Sequence, residues 1–260
     1  MTPNSFLNAL RHAPGFLRAP VIKLLARRIG QRLELNPAGF AGQRVLILGP
    51  ARTLSDDLAG LDPTRFDLFI KMNNGLDTPI PALGDAALRC DVLFHSLTDE
   101  ARPVDHEKLR AANVRLLVHR TATKGAFLHT LIAASHFGPS VAVRHIPHDV
   151  YHALGRKLGG ASPTTGLVCA DFFLSAPVRE VAIMGFTLFS TAYLTGYDDT
   201  VASDAEAVAR IAAKGHHNPL REVALLVDMV GHARRRGVIV TLGKGVTEVL
   251  ARGGLAQATP

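Results

Sequence analysis

The stretch that decides the fold is RVLILGPARTLSDDLAGLDPTRFDLFIKMNNG, residues 44–75. Residues 44–48 are a short apolar run with β-branched members, the pattern of a strand buried on both faces of a sheet. The run ends at Gly49, where the backbone can turn sharply. Ser55 then stands before a helical pattern whose free N–H groups its hydroxyl is placed to cap. Asp62-Pro63 stops that helix, because the residue before a proline avoids the α region. A second apolar run, 66–70, ends in Lys71-Met72-Asn73-Asn74-Gly75. The order strand, turn, helix, strand, polar turn sets two polar strand ends on one edge of a parallel sheet, where open α/β folds bind nucleotides. Gly49-Pro50-Ala51 is not a G-x-G-x-x-G fingerprint, so this turn alone also fits an ordinary strand–helix connection.

Further apolar runs at 90–94, 114–118, 141–146, 178–184 and 238–242 alternate with helical patterns at 100–112, 124–137, 203–213 and a last long one opened by 216–222 and running to about 236. The expected fold is therefore α/β: one Rossmann-like, mainly parallel sheet with helices on both faces, spanning 41–260. Residues 151–162, with Gly155, Gly159 and Gly160, read as a mobile loop at the edge of a site. Ser162-Pro163-Thr164-Thr165-Gly166 opens an apolar helix. Hydroxyls and outward-pointing N–H groups at a helix start suit a phosphate, and a plain cap with Pro in the first turn is the alternative. His95 and His119 fall just past strand ends, where they line a cleft or serve the structure. The tail 253–260 reads as loose.

The chain has 260 residues, 47% of them hydrophobic, and no apolar run long enough to span a bilayer. No apolar leader with a small-residue cleavage site begins it. Two cysteines, Cys90 and Cys169, supply neither a disulfide framework nor metal-site spacing, and a cytoplasmic setting is expected. The net charge of +7 favours anionic partners without choosing among nucleotides, phospholipid, lipopolysaccharide and nucleic acid. Residues 1–40 form a separate basic amphipathic segment, joined through Asn36-Pro37-Ala38-Gly39. Pro20 is placed to open its helix, with Ile22, Leu25, Ile29 and Leu33 on one face and Lys23, Arg27, Arg28 and Arg32 around the others. Two readings follow: a helix lying on an anionic membrane surface as a peripheral anchor, or a helix packed on the domain with a solvated basic side.

Three segments, in order, resemble the animal-type sialyltransferases, glycosyltransferase family 29. Residues 45–73 resemble that family's large motif, with Asp67-Leu68-Phe69-Ile70-Lys71-Met72-Asn73 in place of its "DFVIRMN"-like end. Residues 162–185 resemble its small motif, with Thr164-Thr165-Gly166 and then Gly185-Phe186. His217-x4-Glu222 matches its very short motif. The likeness covers roughly residues 44–230. Pro50 stands where the family carries Asn, its bridging cysteine near the first strand is missing, and its third motif is represented only by Gly196-Tyr197-Asp198-Asp199, without the His.

The resemblance implies a GT-A-like variant fold and inverting transfer of a sialic acid or related ulosonic acid from a CMP-activated donor to a glycan or glycolipid acceptor. It makes His217 the general base, Glu222 a support at the helix start, and Gly49, Pro50, Ala51, Asn73, Asn74, Thr164, Thr165, Gly166, Phe186 and Tyr197 the donor-binding set. One departing phosphate can be stabilised by N–H groups, a helix dipole, a Tyr hydroxyl and a basic side chain, so neither metal nor cofactor is expected. Asp198-Asp199 is read as solvated, and no nucleic-acid partner is expected. The alternatives are a CMP-Kdo-dependent transferase, a Rossmann-like methyltransferase, and a non-catalytic basic protein peripheral to the membrane.

Overall fold

The computed structural model describes residues 3–98, 101–121 and 123–257. Seven strands, β1 (Arg44–Leu48), β2 (Leu68–Met72), β3 (Val92–His95), β4 (Leu116–His119), β5 (Ala142–His145), β6 (Glu180–Met184) and β7 (Ile239–Leu242), form one sheet in the order β5-β4-β3-β2-β1-β6-β7. Every pairing is parallel. Ten α-helices surround it among the described residues: α1 (Pro3–His12), α2 (Gly15–Leu33), α3 (Leu54–Asp57), α4 (His106–Ala111), α5 (Phe127–Phe137), α6 (His148–Lys157), α7 (Thr165–Ser175), α8 (Asp204–Lys214), α9 (Pro219–Arg235) and α10 (Lys244–Gln257).

Alternate residues of each strand feed opposite layers. Val45, Ile47, Ile70, Phe94, Val118 and Ile183 pack with α6, α7 and α9, where Phe40 meets Phe172 and Phe173 edge-on. Leu46, Phe69 and Met184 pack over α3, and Leu93, Leu117 and Val143 against α4 and α5. Both faces of the sheet are covered, which is why the strands read as unbroken apolar runs.

Several local expectations are corrected. Ser55 lies inside α3 and caps nothing: α3 is a single turn, and its carboxylate Asp57 is what binds neighbouring backbone. Asp62 does not end a longer helix; its side chain accepts the Thr64 N–H and starts a 3-10 turn. Residues 148–157 are the helix α6 instead of a mobile loop, because Tyr151 and Leu154 are buried and the Tyr151 hydroxyl donates to the Pro163 carbonyl at 3.2 Å. The tail is helical to Gln257, and residues 258–260 lie outside the described residues. Pro20 sits inside α2, which begins at Gly15 after Pro14.

The apolar stripe of α2 faces inward. Ile22 is buried, and Leu25, Ile29 and Leu33 pack with it against Phe127, Leu128 and Leu131 of α5. The Leu35 N–H donates to the His145 carbonyl at 3.0 Å, and His145 Nε2 donates to the Gly30 carbonyl at 3.2 Å. The ends of β3, β4 and β5 place His95, His119 and His145 side by side in register, all buried on the α5 side of the sheet. The two cysteines are buried free thiols. Burial pushes Cys90 up to about 12, so neither is a poised nucleophile.

Candidate functional site

Successive strands run outward from β1 in one direction as far as β5, and the chain then returns to place β6 on the other flank of β1. That reversal opens a crevice above the carboxyl ends of β1 and β6. Gly49 ends β1 and Gly185, at φ 69°, ends β6. The Gly49 N–H donates to the Met184 carbonyl at 2.7 Å, and a Cβ on Gly49 would collide with the Gly185 carbonyl and the Phe186 ring. Asp57 fixes the seam from below. One carboxylate oxygen accepts the Gly185 N–H at 2.8 Å, and the other accepts the Gly245 N–H of α10 at 2.6 Å.

Pro50, Ala51, Asn73, Asn74, Thr164, Thr165, Gly166, Phe186, Tyr197 and His217 all line this one cleft, although up to 167 positions separate them. Gly49 lies directly beneath, in the seam, and Glu222 lies behind the wall, fully buried. Asn73 adopts a left-handed φ of 46°, which Asn tolerates better than most residues, and its Oδ1 accepts the Ser96 N–H at 3.0 Å. Asn74 is held at both ends of its amide, accepting from Arg102 N at 2.8 Å and donating to the Tyr197 carbonyl at 2.9 Å. The Tyr197 phenol is raised by burial, so it stays a neutral donor. Lys71, by contrast, points to the other face. Its buried ammonium donates to the carbonyls of Thr78 and Ala87, and burial brings it down to about 8.

The Thr164 hydroxyl caps α7 by accepting the Leu167 N–H at 3.1 Å, and it donates to Glu222 Oε2 at 2.7 Å. Glu222 Oε1 accepts the Thr164 N–H at 3.1 Å. Thr164 is therefore committed to the frame, and the first turn of α7 presents the Thr165 hydroxyl with the N–H groups of Thr165 and Gly166 to the cleft. His217 Nδ1 lies 2.7 Å from the Ser162 carbonyl. A carbonyl only accepts, so Nδ1 carries a proton, which leaves Nε2 as the nitrogen with the lone pair whenever the ring is neutral. The ring stacks on Phe189 at 5.9 Å, and Glu222 Oε1 lies 4.0 Å from Nδ1.

Two cations in the wall were not assigned to the cleft from sequence. Arg120, just past β4, donates to the Pro163 carbonyl at 3.3 Å, and its buried Nε has no hydrogen-bond partner among the described residues. Its place after a strand end was a legible signal. Arg210 of α8 reaches in from a helix face, where no local pattern marks it. It pairs with Asp198 and Thr200, both at 2.6 Å. The two acidic residues differ: Asp198 is half-buried and holds Arg210, whereas Asp199 is exposed, as expected, and accepts the Gly196 N–H at 2.9 Å. The segment carrying these residues closes over the first turn through Leu194 N to the Pro50 carbonyl at 2.8 Å and a two-pronged Arg52–Asp204 pair at 2.7 and 2.8 Å. Thr121, Leu188 and Phe189 hold positive φ of 48°, 49° and 70° near the cleft. Such non-glycine strain costs on the order of 1–3 kcal/mol each and collects where geometry serves a ligand.

His95 and His119 do not reach the cleft. Burial, reinforced at His119 by the neighbouring His129 and Arg120, holds them down at about 4 and about 3. Burial raises Glu222 to about 7. Between pH 4.5 and 6.5 the unfolded chain protonates both histidines while the native chain does not, and the native chain alone keeps Glu222 protonated. The unfolded state then binds about one proton more. Stability is expected to fall by about 1.4 kcal/mol per pH unit as pH drops through this window, and less steeply below about pH 4, where the native histidines take up protons themselves. Urea unfolding at a series of pH values measures the slope, and a flat profile would remove the buried-histidine account.

No protein-family model matches the sequence, and no curated protein matches it either. Solved structures that it is similar to include sialyltransferases. A mammalian sialyltransferase in complex with Gal-beta-1-3GalNAc-ortho-nitrophenol is 17% identical, with 94% of this chain and 85% of that one covered at a TM-score of 0.48. The sialyltransferase CstII from Campylobacter jejuni, in complex with the substrate analogue CMP-3FNeuAc, is 12% identical, with 77% and 80% covered at a TM-score of 0.47.

Proposed function

We propose that this chain is a glycosyltransferase that moves a sialic acid or related ulosonic acid from a CMP-activated donor to a hydroxyl of a glycan or glycolipid acceptor, with inversion and without a metal. The observation that carries the reading is convergence. Segments resembling three separate family motifs, at 50–74, 164–186 and 217, line one cleft at the reversal of strand order, with His217 Nδ1 held at the Ser162 carbonyl.

His217 Nε2 takes the proton from the acceptor hydroxyl as the oxygen attacks the anomeric carbon. The bond to the CMP phosphate breaks, and its electron pair leaves with the phosphate. The start of α7, the Thr165 hydroxyl, the Tyr197 phenol and the Arg120 guanidinium are the groups available to hold that growing charge. Glu222 works through its neighbours by fixing Thr164 and thereby the N-terminus of α7. The donor is CMP-Neu5Ac or its relative CMP-Kdo, and the basic N-terminal pair sets the enzyme at the inner membrane surface.

Thermal shift tests the donor class. CMP is expected to raise the melting temperature, whereas UDP and S-adenosylhomocysteine leave it unchanged, because only a ligand that binds the native state stabilises it. Gly166→Val is expected to abolish the CMP shift while the protein remains folded. Even a Cβ at Gly166 lies 3.1 Å from the Phe186 ring and 3.4 Å from Met72 Sδ, so valine drives Phe186 into the cleft. Stabilisation by S-adenosylhomocysteine and not CMP would favour a methyltransferase, and no nucleotide effect at all would favour a non-catalytic protein.

A further inference from the structure

The first 33 residues hold six Lys and Arg side chains and no Asp or Glu, so of the 29 basic residues in the chain, 23 remain to face 22 acidic ones elsewhere. Nearly the whole net charge of +7 therefore belongs to α1 and α2. The inward stripe of α2 is already used against α5. The opposite side is not polar throughout: Phe16 is 77% exposed, and Leu17 and Leu24 are 54% exposed. At 100° per residue, Phe16, Leu17, Pro20 and Leu24 share an arc of about 100°, Arg27 falls inside it, and Lys23 and Arg28 flank it. All three basic side chains are exposed. Large apolar groups held out in water at the centre of an unneutralised basic face complement a surface that is anionic outside and apolar beneath.

We infer that this outer face of α2 is a docking surface for an anionic lipid bilayer, with Phe16, Leu17 and Leu24 entering the acyl boundary and Lys23, Arg27 and Arg28 meeting the headgroups. The face differs from the one the sequence suggested, since Ile22, Leu25, Ile29 and Leu33 remain on the protein. The segment therefore both packs on the domain and binds the membrane. The inference stands on charge and exposure and is independent of the reaction assigned to the cleft.

Cosedimentation of the full chain with vesicles tests it. Binding to phosphatidylcholine mixed with phosphatidylglycerol is expected to exceed binding to phosphatidylcholine alone and to weaken with salt. The variant Lys23→Gln/Arg27→Gln/Arg28→Gln is expected to lose partition by a factor on the order of 10², from roughly fivefold per basic residue at the surface. The variant Phe16→Ser/Leu17→Ser/Leu24→Ser is expected to lose at least about tenfold, with an unchanged melting curve because these side chains contact solvent. Equal binding to both vesicle types, or no binding to either, overturns the inference. So does retention of vesicle binding by the serine variant, whether or not the chain also binds duplex DNA. A wild-type dimer that the serine variant converts to a monomer overturns it in favour of a contact between two copies.

Discussion

Replacing His217 with alanine is expected to lower glycosyl transfer by a factor on the order of 10²–10⁴, the usual range for a lost general base, while CMP still stabilises the variant. Three features combine at this residue. The Ser162 carbonyl at 2.7 Å fixes the proton on Nδ1, the Phe189 ring holds the imidazole plane, and the entry of α9 disfavours a positive charge on the ring. A neutral base with its lone pair toward the cleft is what an acceptor hydroxyl requires. His216 is the control. Its ring is exposed, and its backbone carbonyl, which any residue supplies, accepts the Ser162 N–H at 2.8 Å. His216→Ala is expected to lose far less. Initial rates with CMP-Neu5Ac and CMP-Kdo, for wild type and both variants, make the measurement. Undiminished transfer by His217→Ala would withdraw the base assignment.

The largest expected effect on stability lies directly under the cleft. Gly49→Ala is expected to cost on the order of 3–5 kcal/mol and to lower the denaturation midpoint accordingly. The added Cβ would occupy the position of the Gly185 carbonyl and press on Phe186, and neither can withdraw. The Gly185 N–H is held by the buried Asp57 carboxylate, and its carbonyl accepts the Ala51 N–H at 3.1 Å. Gly39→Ala is a matched control, because nothing lies within 4 Å of its added Cβ. It is expected to change stability by less than about 0.5 kcal/mol. Equal midpoints for the two variants would mean that the seam is softer than its geometry.

The strands were legible because both faces of the sheet are covered, leaving unbroken runs such as VLIL and LFI between turn residues. The cleft residues were legible for another reason. Each lies in a short segment whose own chemistry, at a strand end or a helix start, already suited an anion. What failed depended on partners distant in sequence. The helix α6 contains Gly155 and follows Pro147, so local propensity pointed to a loop, and only burial of Tyr151 and Leu154 makes it a helix. The helix α10 carries Gly245, Gly253 and Gly254 and lacks a strong stripe. Its start is set by Asp57, 188 positions away. The stripe of α2 was visible in the sequence, but its target was not, since an apolar face reads the same whether α5 or lipid will cover it. Arg210 gave no local sign for the same reason.

The order of the strands also sets a timetable for synthesis. The central strand β1 gains its partner β2 almost at once, but its other neighbour is paired from Glu180 against Arg44, 136 residues later. At a translation rate of about 5–20 residues per second, that edge waits roughly 7–27 s for the chain to return. Throughout the wait, this apolar strand presents an open row of N–H and C=O groups, a template for pairing with the wrong chain. The residues that later seal it, Gly49, Asp57 and Gly185, cannot act until β6 arrives, and the Gly245 contact forms only after that. Slowing the ribosome between β2 and β6 therefore lengthens the exposure, and yield in the cell depends on how quickly the second half of the chain follows the first.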